Sequence, residues 1–195
     1  MTNIPLDPGN GGRSIDTSAL QIGDIILSTT NQVPSKLIRF ATNSPVSHSM
    51  LYVGGGQVVE AVGEGVRLVP IETALADANF AVAVRYPGLT NEQALKIRDY
   101  ADHQLGKPYD YRYGVVGQAL FRLDLVCGFP MEQVGRVNLG TGTNDKWFCS
   151  ELVIASFAAA DVPLTKTPPS WTSPGDIVPL VLNGNLEYVG HLKTP

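Results

Sequence analysis

The sequence predicts an α+β domain in which an antiparallel sheet packs against a helix that begins at a cysteine. Three observations carry that expectation. Short apolar segments with strand character recur between Leu20 and Tyr86, separated by turn residues. The stretch 90–105 has the clearest helical amphipathicity in the chain. At Trp147-Phe148-Cys149-Ser150-Glu151-Leu152-Val153 a polar loop becomes an apolar helix, with the cysteine at the junction.

Composition bounds the answer. A chain of 195 residues holds one sizeable core and is short for two. With 20 glycines and 14 prolines it favours turns and loops over a helical bundle. The net charge of −4, with no Lys/Arg run, argues against a nucleic-acid partner. Residues 1–18 are polar and read as a flexible arm, leaving 19–195 as the single folded domain. The arm lacks the basic and apolar regions of a signal peptide, and no window reaches transmembrane length. The expectation is a soluble protein made in the cytoplasm, or one exported by a leaderless route.

The elements follow in order. Leu20 to Ser28 reads as a turn feeding a buried strand. Apolar Leu37, Ile38 and Ala41 predict a short helix over 34–42, which Asn43-Ser44-Pro45 ends. Residues 47–53 and 57–62 form a hairpin around Gly54-Gly55-Gly56, and strands at 66–69 and 80–86 extend the sheet around a short helix at 71–78. Thr90 caps the helix 90–105 and Gly106 stops it. An apolar, helix-like segment spans 113–127, followed by a Gly-rich loop over 128–145. The cysteine helix runs from 149 to about 160, and strands are expected at 176–182 and 186–189.

The chemistry starts from Cys149. A helix start offers unpaired N–H groups and the positive end of the dipole, and both favour a thiolate. A thiolate nucleophile needs a base, and His48 sits on an upstream strand. If Gly54-Gly55-Gly56 is a three-residue loop, Met50 pairs with Glu60, and His48 and Glu60 then share a face as diagonal neighbours. A two-residue loop would separate them. Glu60 would orient the imidazole, and the Cys149 N–H would meet the oxyanion. Two rival acids, Glu64 and Asp24, fall in Gly-containing turns and read as turn chemistry. The two other histidines, His103 and His191, read as surface residues, and Cys127 as a packed thiol. Three His and two Cys show no CxxC or HExxH spacing, so no metal and no cofactor is expected.

Four motifs now line up. Ser35 to His48, Val58-Val59-Glu60-Ala61, Gly106-Lys107-Pro108-Tyr109-Asp110 and Trp147 to Val153 together resemble the permuted NlpC/P60 group. These are papain-like cysteine hydrolases of the YiiX/lecithin-retinol-acyltransferase type, in which the His strand precedes the Cys helix. The resemblance runs from about Leu20 to Pro179. It implies a papain-like α+β fold with Cys149 as nucleophile, His48 as base and Glu60 as third polar residue. Tyr109, Ser47 and Trp147 beside these motifs are the expected substrate contacts, although Tyr109 fits equally well as packing beside the sheet.

The resemblance further implies cleavage of an amide bond, with peptidoglycan stem peptides as the leading substrate. An antibacterial effector with an immunity partner would suit a leaderless enzyme of this kind. The alternatives are a lipid-directed acyltransferase or phospholipase, for which 113–127 is the one apolar candidate segment, and a non-catalytic binding domain on the same fold.

Overall fold

The computed structural model describes residues 12–30, 44–110 and 146–193. Seven strands form one sheet: β1 (Ser14–Ile15), β2 (Ile25–Thr30), β3 (His48–Gly54), β4 (Gln57–Val62), β5 (Gly65–Pro70), β6 (Ala78–Arg85) and β7 (Glu187–Leu192), in the order β1-β7-β6-β2-β3-β4-β5. Among these described strands β1 and β7 pair in parallel, and the other neighbours are antiparallel. The helices are α1 (Ile71–Ala74), α2 (Asn91–Asp102), α3 (Cys149–Ala159) and α4 (Pro174–Leu182).

Both sheet faces are covered, which explains why β2 reads as a continuous apolar run rather than an alternation. Ile25 and Leu27 join Leu51, Val59, Val82 and Val84 on one face, packed against Ile97 and Ala101 of α2, Leu152, Val153 and Phe157 of α3, and Ile177 of α4. Ile26 joins Met50, Tyr52, Val58, Ala81 and Ala83 on the other, under Ile71 and Leu75. Phe157 is fully buried; truncating such a ring costs about 3–5 kcal/mol, enough to hold α3 to the sheet. Asp24, also fully buried, takes both arms of Arg85 (2.6 and 2.7 Å) and caps its own turn through Gln21 N–H (2.8 Å).

The helix α2 is set by the expected cap: Thr90 Oγ1 accepts from Gln93 N–H, and the Gln93 side chain accepts from Thr90 N–H. Three expectations change. The apolar stretch 176–182 is helix α4, not a strand. Ser173 donates its N–H and hydroxyl to Asp176 (both 2.7 Å) and Pro174 takes the first turn, so a helix start overrides the strand-like run that follows. The arm expected over 1–18 is anchored from Arg13 onward: β1 pairs with β7, and the Arg13 carbonyl accepts from His191 N–H at 2.8 Å. His191, expected on the surface, is buried with Nδ1 2.6 Å from the Tyr188 hydroxyl. The expected helix 34–42, the segments 113–127 and 128–145, and Cys127 lie outside the described residues.

Candidate active site

The hairpin that carries His48 and Glu60 solves the register problem in an unexpected way. Leu51 pairs with Val59 and Tyr52 with Val58, as a three-residue loop would require. Next to the turn, however, Gly54 pairs with Gln57, so the loop is the two-residue Gly55-Gly56, with φ of +62° and +75°. Val53 and Gly54 together oppose Gln57, and this bulge restores the offset that the short turn would have broken. His48 and Glu60 therefore meet: His48 Nε2 lies 2.7 Å from Glu60 Oε2.

Cys149 is the first residue of α3, after Phe148 in extended conformation (φ −99°, ψ 156°). The approach to it is pinned from β5. Val66 N–H donates to the Lys107 carbonyl (2.8 Å), and Gly106 N–H to the Val66 carbonyl (2.9 Å). Gly65 permits this, because a Cβ there would sit 2.7 Å from the Lys107 oxygen. Three residues on, Asp110 N–H donates to the Trp147 carbonyl (2.9 Å) and Trp147 N–H to the Pro108 carbonyl (3.0 Å). Ser150 Oγ donates to the Thr172 carbonyl from the other side. These contacts, together with the packing of Leu152, Val153 and Phe157 on the sheet, place the nucleophile helix against the hairpin.

The Cys149 side chain is within hydrogen-bonding reach of the His48 ring. With Nε2 taken by Glu60, Nδ1 is the nitrogen left for sulfur. Burial works against charge on His48, but hydrogen bonds to Cys149 and Glu60, and their charges, outweigh it and push the ring up to about 10. His48 is thus a cation at neutral pH. Glu60 is 2% exposed, and despite that burial its partners His48 and Arg67 hold it below the usual carboxylate range.

Arg67 was not singled out in the sequence. It lies directly across from Glu60 in the β4–β5 pairing; Nε and Nη2 donate to Glu60 Oε1 at 3.0 and 2.9 Å, and Nη1 to Glu64 Oε2 at 3.0 Å. The tight Gly63-Glu64 turn was the available signal, since it fixes which residue opposes Glu60.

Glu151 likewise has no role assigned from the sequence; its carboxylate accepts from Phe148 N–H at 3.3 Å and so braces the helix start. Burial pushes it up to about 7; the Phe148 N–H opposes this and the charge of Asp110 adds to it. A carboxyl raised in the native state contributes stability that is complete below its ordinary value of 4.5 and is lost as pH climbs through about 7. Glu151→Gln keeps the acceptor and removes the charge. In urea melts its stability relative to wild type is expected to grow by about 1–2 kcal/mol between pH 5 and pH 8. An unchanged difference across that range would refute the prediction.

The expected substrate contacts divide. Trp147 is 2% exposed and edge-on to Tyr100, with Lys107 Nζ 5.8 Å from its ring centre, so it packs the core rather than facing a ligand. Ser47 is likewise buried and donates to Thr29 Oγ1 at 3.3 Å. Tyr109 is half-buried and packs against the core, edge-on to Phe148. Of the remaining polar residues, Glu64 is an exposed turn residue and His103 is exposed on the end of α2.

Residues 19–135 match the family described as permuted papain-like amidase enzymes of the YaeF/YiiX type, C92 family. The chain is 32% identical over 204 aligned residues to a protein named probable lipoprotein peptidase YaeF from Escherichia coli (strain K12), covering 93% of this chain and 74% of that one. This chain belongs to the permuted papain-like amidase family. The YaeF/YiiX amidases also include the uncharacterised YiiX of the same strain, 35% identical over 99 residues and 48% of either chain. The crystal structure of YiiX from Escherichia coli O157:H7 shares the fold, with a TM-score of 0.55, 22% identity and coverage of 90% of this chain and 89% of that one. That protein is described as a metalloprotein. Among the described residues of this amidase-family chain, no three His, Cys, Asp or Glu gather as a metal-binding group, and no helix is long and apolar enough to cross a membrane. Membership supports a cysteine hydrolase of the amidase class on an α+β, papain-like scaffold.

Proposed function

We propose that the chain cleaves a peptide-type amide with Cys149 as nucleophile, His48 as acid–base and Glu60 as the group that holds the imidazolium. The carrying observation is the line from Cys149 through His48 to buried Glu60, set at a helix start. The thiolate adds to the carbonyl carbon. The Cys149 N–H, in a first turn that has no preceding carbonyl to occupy it, faces the developing oxyanion. His48 passes its proton to the departing amine, leaving a thioester. Neutral His48 then takes a proton from water as the water attacks, the acid is released, and the ion pair re-forms.

Peptidoglycan stem peptides are the leading substrate. The name of YaeF, a probable lipoprotein peptidase, supports a peptide bond as target and an envelope setting. A role as an antibacterial effector, with an immunity protein as its partner, belongs to the same reading. Digestion of purified muropeptides, followed by mass spectrometry, tests it. Cleavage by wild type and not by Cys149→Ala is the expected result. If no muropeptide is cut while a simple peptide amide is, the substrate assignment falls and the chemistry stands.

A further inference from the structure

The geometry points to Arg67 as a positioning residue that acts through Glu60, making the catalytic line four residues long: Arg67, Glu60, His48, Cys149. This rests on the proposed roles of the last three. Glu60 divides its two oxygens. Oε2 faces His48 at 2.7 Å, and Oε1 is held by both Nε and Nη2 of Arg67 at 3.0 and 2.9 Å. A carboxylate on a flexible side chain has no intrinsic reason to present one oxygen to the imidazole. The planar fork of arginine, opposite it on β5, removes that freedom. The arrangement also keeps a charge where burial disfavours one: Glu60 is 2% exposed, whereas Arg67 is 40% exposed and loses less solvation by pairing. Glu64, 79% exposed, contributes only a rim contact to Nη1.

Among the described residues, the charged groups that face Glu60 are His48 from β3 and Arg67 from β5, and both lower its proton affinity. Below the pH at which Glu60 takes up a proton, the imidazolium stays charged but loses the carboxylate that orients it beside Cys149. Arg67 therefore sets the acid limit of the active site. A purely structural arginine would lower the melting temperature and leave that limit in place.

Alkylation of Cys149 by iodoacetamide, followed across pH with the adduct located by peptide mass mapping because Cys127 is a second thiol, reads this without a substrate. In Arg67→Gln the acid limb is expected to move up by about one pH unit or more. Arg67→Lys, which keeps charge but not the fork, should move it less, and serves as the readout if Arg67→Gln does not fold. In a Glu60→Gln background, Arg67→Gln should add no further shift. Limbs that coincide with wild type in both variants overturn the inference, as does a shift that persists undiminished without Glu60. If wild-type Cys149 alkylates no faster than in His48→Ala, the proposed catalytic roles fail instead.

Discussion

Cys149→Ala is expected to lower kcat/KM for amide cleavage by about 10⁴-fold or more, because losing the nucleophile of a coupled set removes nearly all its catalysis. The fold should survive. Cys149 is 2% exposed, alanine is only slightly smaller, and the helix start is held by backbone contacts from Lys107, Pro108 and Trp147 that the substitution does not touch. Cys149→Ser should be nearly as damaging, since an imidazolium beside a hydroxyl leaves no base to ionise it. Kinetics and a thermal melt on the same samples check both halves. Residual activity within tenfold of wild type would remove Cys149 from the mechanism.

The second large effect is expected at His48. Removing it should cost about 10²–10⁴-fold, the usual range for a positioned acid–base group. The pH dependence is more diagnostic. With the ring pushed up to about 10, the cation persists through neutral pH and is lost only as pH rises through that value. Activity and Cys149 alkylation should therefore hold a plateau well above the pH at which an ordinary histidine, near 6.5, would already be neutral. The stability linked to the same proton has the same sign. It is complete below about 6.5 and fades as pH rises through about 10. Glu60→Gln withdraws the carboxylate that helps to hold the cation, so its alkaline limb should fall to lower pH. An alkaline limb that does not respond to Glu60→Gln would separate Glu60 from His48.

Much of this site was legible from residue order alone. Cys149 announces itself by standing where polarity changes to apolar helix, and His48 and Glu60 by alternation in a hairpin. The hairpin illustrates the limit of such reasoning. Its register was anticipated through a three-residue loop, yet the molecule reaches the same register by a two-residue turn plus a bulge at Val53-Gly54. Glycine permits either route, and only pairing with β2 and β5 selects one. The strand expected over 176–182 failed for a related reason. Its apolar run is period-neutral, and the deciding signal was the Ser173–Asp176 cap before it.

Trp147 and Ser47 show the other limit. A residue beside a catalytic motif is near the chemistry in sequence, but whether it faces a ligand or the core depends on what packs against it. Tyr100 and Lys107 cover Trp147, and Ser47 turns to Thr29.

By itself the sequence determined the α+β pattern, the helix-start cysteine, the histidine strand and the order of motifs, because these are encoded in local periodicity and capping. The tertiary structure alone decided the charges. Whether His48 rests as a cation depends on the sum of burial, sulfur and Glu60, and whether Glu60 keeps its charge depends on an arginine one strand away. Those are through-space quantities that vary steeply with distance and solvent exclusion, so no one-dimensional pattern contains them.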